Sequence, residues 1–507
     1  MASYARIVVA RNLQVLSAIL DPKNRSCWAF SLANDASTHF GKSYFDNRIR
    51  IHINGKIHNL HAIAIPMFEQ HTAENMFILV CRFLDVLCPQ WRTQLIGIGS
   101  DGASSMTGHL HGVVTRFDKE CSNTKFYRVW YGLHQLDLVL KAAYTELWDN
   151  EVVDIMKKFI QHLRQQYGLI AEMQATCPQL TTRWLVMGKV CKWLLTHRIT
   201  LFEYINSSAK PVSTAPPNWW WVVIAGISAL TEIINPVFVK LQAQSLLVSA
   251  QAALLSDLAT EISTMIGIQG PFSDKELVNV TSTGAFNVAN GRWLVDYSQI
   301  VLFLESLGMH SRQTLQTLDD ELHRKVLHSI GYLTISIVEG IINIQAERNE
   351  RNNADDDLPP VLPHELVKLS TSDFGKKIVD IHLQQLRHSW NERTIAEIEI
   401  QHRQLSIAYR QEPALKSALD KYSEEVSIKS FDTAWAIVEG RFEILRDFCG
   451  GIATVFPNTA SVESDFSILG WEKDRYRLSI TDLSLEGIMH CKQYEVLSFL
   501  VQNGLRR

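Results

Sequence analysis

Patterns of apolar and polar residues predict a helix followed by three strands at the start of the chain. Residues 1–25 have the apolar spacing of a helical segment. In SCWAFSLAND, bulky apolar residues alternate with small ones, which predicts a strand that ends at Asp35. YFDNRIRIHI and HNLHAIAIPMF flank Asn54-Gly55, a dipeptide that strongly favours a β-hairpin. We therefore expect a meander of three antiparallel strands.

Further strands and helices alternate up to about residue 150. TAENMFILVCRFLDVLCPQW has the cap-like start and the spacing of an amphipathic helix, and LIGIGSDG is a short buried strand that breaks at Asp101-Gly102. The strand FYRVWYGL and the helix HQLDLVLKAAYTELW come next. The order βββαβαβα predicts a mixed α/β fold. Residues 26–150 form its first part, with the first and fourth strands side by side.

Long helical periods replace the strands between residues 151 and 445. EVVDIMKKFIQHLRQQYGLI, LVSAQAALLSDLATEISTMI and HSIGYLTISIVEGIINIQ all repeat apolar residues at helical spacing. We expect an all-helical insertion over 151–445 with an exposed polar loop near 346–363, and a last segment over 446–507. The most apolar stretch, from Trp219 to Leu230, is shorter than the roughly 20 residues of a membrane span, so it predicts a buried helix.

Composition and charge exclude several classes of protein. The 507 residues carry 49 Lys and Arg against 53 Asp and Glu, a net charge of -4, which excludes a globally basic nucleic-acid coat but permits a local basic surface. The 8 cysteines form no Cys-x-x-Cys pair, so neither a disulfide framework nor a cysteine-rich zinc module is expected. A reducing, intracellular compartment and no membrane partner follow.

Three motifs offer weaker hypotheses. GIGSDG matches a dinucleotide-binding pattern, but the strands before it are antiparallel and its aspartate would repel a pyrophosphate, so no nucleotide cofactor is expected and closely packed strand glycines are the simpler interpretation. The histidines at 58, 61, 71, 109 and 111 have no cysteine or acid nearby in the chain that completes a metal site, which favours solvent-facing or hydrogen-bonded histidines. Ser/His/Asp catalysis lacks a G-x-S-x-G elbow.

Two carboxylates follow predicted strands. Asp35 in NDAST and Asp101 in SDGASS are each followed by small residues that let a ligand approach. If the first and fourth strands are neighbours, these carboxylates converge and could share Mg²⁺, which prefers carboxylate oxygens. A surface charge or a helix cap is the alternative for either acid.

Several motifs in order resemble the hAT family of DNA transposases. PNTASVESDFSILGWEKDRYRLS is similar to the Ser-x-x-Glu-Arg-x-Phe-Ser signature of the family, with Glu463, Phe466 and Ser467 at matching places. NDAST, SDGASSMTG, GLHQLDLVL and TTRWL also look like family motifs and stand in the family's order. The resemblance is densest over residues 26–205 and 440–500.

The resemblance implies a ribonuclease H-like core that is interrupted by a large helical insertion. It implies that Asp35, Asp101 and Glu463 form a DDE triad that holds two Mg²⁺ or Mn²⁺ ions for cleavage and transfer of DNA strands. His134 is the one matching residue of a Cys-x-x-His pair whose first position is Tyr131 here, and the arginine that follows the family glutamate is replaced by Ser464.

DNA contacts and dimerisation are also implied. Trp184 in TTRWL would stack on a base, with an ordinary core tryptophan as the alternative. Basic residues interleave with aromatic ones near the C-terminus, as in surfaces that follow a phosphate backbone, with a solvated helix end as the alternative: Trp471, Lys473, Arg475, Tyr476 and Arg477. The apolar helical face of the final segment resembles the family's dimerisation region, although packing onto its own core is equally open: Leu483, Leu485, Ile488, Met489 and Leu497.

The main hypothesis is thus a nuclear, transposase-derived protein that binds DNA and itself. Family members usually begin with a zinc finger, and no Cys/His set precedes Asp35, so we expect no structural zinc and a partial copy of the family architecture. One alternative is a catalytically inactive remnant that dimerises and binds DNA. A helical interaction scaffold unrelated to transposition is the other.

Overall fold

The protein is a mixed α/β chain, as the element order predicts. Its structure, a computed structural model, describes residues 2–23, 27–39, 41–68, 70–100, 106, 111–121, 124–180, 184–207, 212–273, 275–277, 288–351, 358–426, 428–458, 460–472 and 479–504. The chain forms two compact units. The first consists of Met1–Gly132, Leu241–Ala252 and Asn349–Arg507, and the second consists of Leu133–Lys240 and Ala253–Arg348.

Five strands form the main sheet of the first unit. They are β1 (Phe30–His39), β2 (Lys42–Ile53), β3 (Lys56–Met67), β4 (Leu95–Ser100) and β5 (Tyr127–Trp130). Their order across the sheet is β3-β2-β1-β4-β5. The β1–β2 and β2–β3 pairs are antiparallel, whereas β1–β4 and β4–β5 are parallel. The predicted meander and the predicted adjacency of the first and fourth strands are both present.

The hairpin between β2 and β3 turns at Asn54-Gly55, as predicted. Asn54 has a φ of 53° and Gly55 has a φ of 77°, the two positive values that a type I′ turn requires. The predicted end of the first strand at Asp35 is wrong, because β1 continues to His39 and pairs with β2 throughout. Only its pairing with β4 stops early, at Asn34 opposite Ser100.

Glycines in β4 allow close packing against β5 and the residue after it. A Cβ on Gly97 would lie 2.6 Å from the backbone oxygen of Tyr127, and a Cβ on Gly99 would lie 2.7 Å from the hydroxyl of Tyr131. Side chains at these positions would push the neighbouring strand away. The glycines of GIGSDG therefore have a packing role, the simpler of the two interpretations of that motif.

The helices of the first unit lie before, between and after these strands. Up to β5 they are α1 (Ala2–Ile19), α2 (Ala73–Leu87), α3 (Trp91–Gln94) and α4 (Val113–Glu120). The hydroxyl of Thr72 accepts a hydrogen bond from the backbone N–H of Asn75 at 3.2 Å and caps α2, which confirms the predicted start of that helix.

The next helices, in chain order, belong mainly to the second unit. They are α5 (Gly132–Thr145), α6 (Glu151–Leu163), α7 (Tyr167–Met173), α8 (Trp184–Thr196), α9 (Arg198–Ser207), α10 (Asn218–Leu241), α11 (Val248–Ile266), α12 (Tyr297–Ser306), α13 (Met309–Thr317) and α14 (Asp320–Arg351). A short hairpin of β6 (Val288–Asn290) and β7 (Trp293–Val295) joins them. The expected insertion is therefore not all-helical.

Helices of the first unit resume after residue 358. They are α15 (Pro363–Leu366), α16 (Thr371–Phe374), α17 (Leu383–Ser389), α18 (Glu392–Gln411), α19 (Pro413–Glu425), α20 (Phe431–Ala436), α21 (Glu443–Ala453), α22 (Ala460–Glu472), α23 (Asp482–Lys492) and α24 (Tyr494–Gly504). Residues 358–445, which we expected in the insertion, belong to the first unit instead, because their apolar faces share a core with Ile96 of β4 and with Trp28, which precedes β1.

The most apolar helix of the chain is buried. Trp220, Trp221 and Ile224 of α10 have at most 1% of their surface exposed. By length and composition alone, Asn218–Leu241 and Asp320–Ile344 could each cross a membrane, but 67% and 50% of their apolar windows are buried inside the protein. Core helices have the same properties, so the stretch from Trp219 to Leu230 packs as predicted.

Candidate functional site

One face of the main sheet is lined with polar side chains. Successive strand residues point to opposite faces, so Asp46 and Arg48 of β2 share a face with each other and with Asp35, which pairs with Asp46. His61 of β3 pairs with Arg48 and joins the same face. The opposite face carries the apolar alternates, such as Ile49, and builds the other core.

Helix α22 covers this polar face and packs on β1 and β2. Val462, Phe466 and Leu469 recur at helical spacing and form an apolar cluster with Ala33 and Tyr44 of the sheet. Phe466, a residue of the family-like signature, is therefore a core residue with 8% of its surface exposed. Ser467, the other residue of that signature, is exposed.

The three acids of the expected triad are described to different extents. Asp35 lies in β1 and is partly buried, and its Oδ1 accepts the backbone N–H of Ala36 at 2.7 Å. Asp101 follows Ser100, the last residue of β4, but lies outside the described residues. The backbone of Glu463 belongs to α22, and its side chain lies outside the described part of the protein. The mutual distances of the three carboxylates thus stay untested.

A buried network of charged side chains lies on the same face, centred on His61. The Nδ1 of His61 is 3.2 Å from Asp46 Oδ1 and 3.3 Å from Asp465 Oδ2, and its Nε2 is 2.9 Å from Glu486 Oε1. Arg48 forms an ion pair with Asp465. His61 and Asp46 expose 2% and 0% of their surface.

Helix α23 supplies the remaining members of this network. His490 Nε2 lies 3.1 Å from the same Glu486 Oε1, while Glu486 Oε2 accepts the backbone N–H of Ala64 at 3.1 Å. The side-chain amide of Gln493 brackets His61, because its Oε1 accepts the His61 N–H at 2.8 Å and its Nε2 donates to the His61 carbonyl at 2.9 Å. These bonds join α23 to β3.

The surroundings of each group determine its charge. Burial opposes a charge on His61, but Glu486, Asp46 and Asp465 outweigh burial and hold the pKa of His61 well above its ordinary value. Burial likewise opposes ionisation of Glu486, yet the charge of His61 and the hydrogen bonds from His490 and His61 lower the pKa of Glu486 to about 2. Burial raises the pKa of Asp46 to about 6, only partly offset by His61.

The hydrogen-bond partners of His61 and His490 indicate which of their nitrogens carry protons. His61 faces carboxylates at both nitrogens, so it donates from both as an imidazolium. The amide nitrogen of Gln493 donates to Nδ1 of His490 at 3.2 Å, which leaves a proton on Nε2 of His490 to donate to Glu486. His61, Glu486 and His490, and likewise Asp46, His61 and Asp465, have ligand atoms within 4.8 Å of one another. Each of these histidines faces carboxylates within ion-pair distance, so we interpret the cluster as a set of ion pairs.

The residues expected to hold Mg²⁺ have suitable chemistry. A hard cation takes carboxylate oxygens, and Asp35 offers a carboxylate whose Oδ1 accepts the backbone N–H of Ala36. Asp46, directly across from Asp35, is completely buried, and its Oδ1 lies 3.2 Å from Nδ1 of His61. Two neighbouring carboxylates on one face of the sheet fit a divalent cation.

Most of the predicted DNA contacts fall outside the described residues. Lys473, Arg475 and Arg477 lie in 473–478, and the side chain of Trp184 at the start of α8 is not described either. Trp471 in the last turn of α22 is described, and 80% of its surface is exposed. His134 in the first turn of α5 is also exposed.

The expected dimerisation residues pack mainly onto this chain's own core. Leu485 and Met489 of α23 join the apolar cluster under α22, and Leu497 of α24 joins the core that contains Leu16 of α1. Leu483 and Ile488 are half-buried. The sequence leaves two options open, dimerisation and packing onto the chain's own core. The structure shows the second option for Leu485, Met489 and Leu497.

The site residues expected from the sequence include no member of the ion network. Asp46, Arg48 and His52 alternate with apolar residues in YFDNRIRIHI, a signal that marks one polar strand face. That pattern ordinarily indicates a solvent-facing surface, so it does not indicate a buried network. A scan against protein-family models finds no match for this chain, and no curated protein sequence is significantly similar to it.

Proposed function

We propose that this chain is an hAT-like, transposase-derived protein that cleaves and transfers DNA strands with Asp35, Asp101 and Glu463. The observation that carries the proposal is the register of β1 and β4. Their parallel pairing ends at Asn34 opposite Ser100, and Asp35 and Asp101 are the residues that come next in the two segments. The ends of adjacent parallel strands are where α/β proteins commonly bind ligands.

A ribonuclease H-like core is part of the same proposal. The strand order β3-β2-β1-β4-β5, with three antiparallel strands followed by two parallel ones, supports it. The chain enters the second unit directly after β5 and returns to supply α22, which supports a core interrupted by an insertion. The packing of α22, which carries Glu463, on β1, which carries Asp35, supports the proposed triad.

Two Mg²⁺ or Mn²⁺ ions, if bound there, would activate a water or a DNA 3′-hydroxyl and stabilise the departing oxygen. The part of this chain would be to position oxygens: Asp35 from β1, Asp101 from the position that follows β4 in the sequence, and Glu463 from α22. The buried ion network would make that frame rigid, since Asp465 ties α22 to Arg48 and His61 of the sheet.

DNA contact is supported by the exposed end of α22. Trp471 exposes an aromatic face that can stack on a base, and the sequence after Glu472, KDRYR, carries three basic residues. A surface of this kind binds phosphates without requiring a basic chain overall. The overall charge of -4 is therefore compatible with a DNA substrate and with function in the nucleus.

A plasmid assay tests the proposed chemistry. We expect purified protein to nick supercoiled DNA with Mg²⁺ or Mn²⁺ and to stop doing so in EDTA. Asp35→Asn, Asp101→Asn and Glu463→Gln should each reduce the rate by at least 100-fold, because each removes a metal ligand. Glu424→Gln, which changes an exposed acid of α19, is the matched control and should nick as fast as the unchanged chain.

The alternative is a DNA-binding remnant without chemistry, and the same preparation distinguishes the two. If the unchanged chain nicks DNA no faster than Asp101→Asn does, the enzyme hypothesis is excluded. DNA affinity that falls steeply with salt concentration would then support the remnant, since phosphate binding releases counterions. Absence of both activities would favour the helical scaffold.

A further inference from the structure

A cavity of about 470 Å³ lies within the first unit, beside the polar face of the sheet. Its walls come from β2, β3, the residues 244–245, the start of α20, helix α22 and the junction of α23 with α24. Cavities of roughly 300 to 1,000 Å³ are typical of small-molecule sites. The size alone therefore permits a ligand of nucleotide dimensions.

Arg50 of β2 lies in the wall of this cavity and forms no ion pair among the described residues. Only 1% of its surface is exposed, and its Nη atoms donate to two backbone carbonyls, of Val455 at 3.3 Å and of Leu246 at 3.1 Å. Its Nε has no hydrogen-bond partner, and none of the described carboxylates forms an ion pair with it. Burial lowers the pKa of Arg50 to about 10, so the side chain stays charged at neutral pH. Asp432 favours this charge from beyond ion-pair distance. A buried cation without a paired counter-ion is costly, and an anion in the cavity would reduce that cost further.

The other charges around the cavity leave it positive. Arg48 is compensated by Asp465, the charge of Asp432 favours the Arg50 cation from beyond ion-pair distance, and Lys492 at the end of α23 is an exposed lysine with no ion pair among the described residues. Among the described lining residues Asp432 is the only other carboxylate, and its Oδ1 accepts the backbone N–H of Ile57 at 3.1 Å. Lining serines at 245, 430, 461 and 464 offer hydroxyl donors.

Apolar side chains line the rest of the cavity. Phe431 contributes an aromatic ring, and Ile57, Ile468, Met489 and Val496 contribute aliphatic surface. A small inorganic anion would leave this surface uncovered. A ligand with a phosphate and a flat apolar body would use both parts.

We propose that the cavity binds a phosphate monoester of a nucleoside. Its phosphate would accept hydrogen bonds from Lys492 and the serine hydroxyls, with the Arg50 charge directly behind the wall, and its base would lie against Phe431. Binding there does not depend on DNA cleavage. Free nucleotide and the phosphorylated end of a DNA strand share this chemistry.

Isothermal titration of the full chain with adenosine 5′-monophosphate and with adenosine tests the proposal. We expect the monophosphate to bind and adenosine to bind at least 10-fold more weakly, because only the former carries the anion. Competition by a 5′-phosphorylated oligonucleotide, compared with the same oligonucleotide without its phosphate, identifies the source: displacement by the first alone assigns the phosphate to a DNA end, and no displacement by either assigns it to free nucleotide.

Three variants locate the site. Arg50→Gln should abolish binding, but loss of a buried residue can unfold the protein, so two exposed positions provide independent evidence. Lys492→Glu should weaken binding of the monophosphate about 10-fold, and Ser464→Trp should block it by filling the cavity. Lys416→Glu on α19, which does not line the cavity, should bind as the unchanged chain does. Absence of binding at millimolar monophosphate, or unchanged affinity in both Lys492→Glu and Ser464→Trp, would overturn the proposal.

Discussion

Asp46 of β2 lies directly opposite Asp35 of β1 in the antiparallel pair. Directly opposed side chains share a face, with Cβ atoms about 4.5 to 5.5 Å apart, so two carboxylates are neighbours on the covered side of the sheet. Like charges at such positions destabilise a sheet. His61, whose Nδ1 lies 3.2 Å from Asp46 Oδ1, offsets this cost for Asp46, and a cation between the two carboxylates would offset it for both.

The first prediction concerns this pair. Asp35→Asn removes one of the two like charges, so in EDTA it should increase the free energy of unfolding in urea by about 0.5 to 1 kcal/mol. The same change should abolish the increase in melting temperature that Mn²⁺ gives the unchanged chain, because a metal ligand is lost. A variant that is less stable in EDTA and still stabilised by Mn²⁺ would separate Asp35 from metal binding.

The second prediction concerns the centre of the ion network. His61→Ala leaves Asp46, Asp465 and Glu486 buried with Arg48 as their main cation, and breaking a buried ion pair in this way costs roughly 3 to 5 kcal/mol. Urea unfolding measures the loss. His58→Ala is the control on the same strand, where a half-buried histidine outside the network should cost less than about 1 kcal/mol.

The third prediction is that the free energy of unfolding falls at both high and low pH, because His61 loses its contribution at high pH and Glu486 loses its contribution at low pH. The pKa of His61 is raised on folding, so its contribution is complete below its unfolded value near 6.5 and is lost as the pH rises through the folded value. The pKa of Glu486 is lowered to about 2, so its contribution is complete above about 4.5 and is lost as the pH falls towards 2.

Unfolding free energies measured at several pH values test this dependence. The unchanged chain should be more stable at pH 5.5 than at pH 3 or pH 9. Glu486→Gln should reduce the loss between pH 5.5 and pH 3, and His61→Gln should reduce the loss between pH 5.5 and pH 9. Identical pH profiles in all three proteins would mean that the network does not contribute through these charges.

The fourth prediction concerns the glycines of β4. Gly97→Ala places a Cβ 2.6 Å from the backbone oxygen of Tyr127, and because backbone cannot move aside without separating β4 from β5, we expect a loss of about 2 kcal/mol or more. Gly168→Ala in α7 is the contrast, since nothing lies within 4 Å of the new Cβ and alanine favours a helix by up to about 1 kcal/mol. Thermal unfolding of both variants measures the difference.

Local signals predict the strands and the hairpin well. Asn54-Gly55 dictates its own turn, and the alternation in residues 26–35 and 44–53 is a property of neighbouring residues. The end of β1 at His39 is harder to predict, because residues after Asp35 are held in the strand by their partners in β2 rather than by their own pattern. The place of residues 358–445 likewise depends on packing against distant strands.

The ion network could not be predicted because its members are far apart in the chain. His61 meets Asp465 across 404 positions and Glu486 across 425 positions. The polar alternation of β2 is visible in the sequence, but α22 and α23 cover that face and convert an apparent surface into a buried one. Only the tertiary structure shows which acids complete it.

The most direct test of the central claim is the position of Mn²⁺ in crystals of the full chain, measured by anomalous scattering. We predict two ions about 3.5 to 4 Å apart, bound by the carboxylates of Asp35, Asp101 and Glu463. Ordered Mn²⁺ bound elsewhere, or carboxylates of these three residues that do not share an ion, would contradict the proposal that they form one catalytic site.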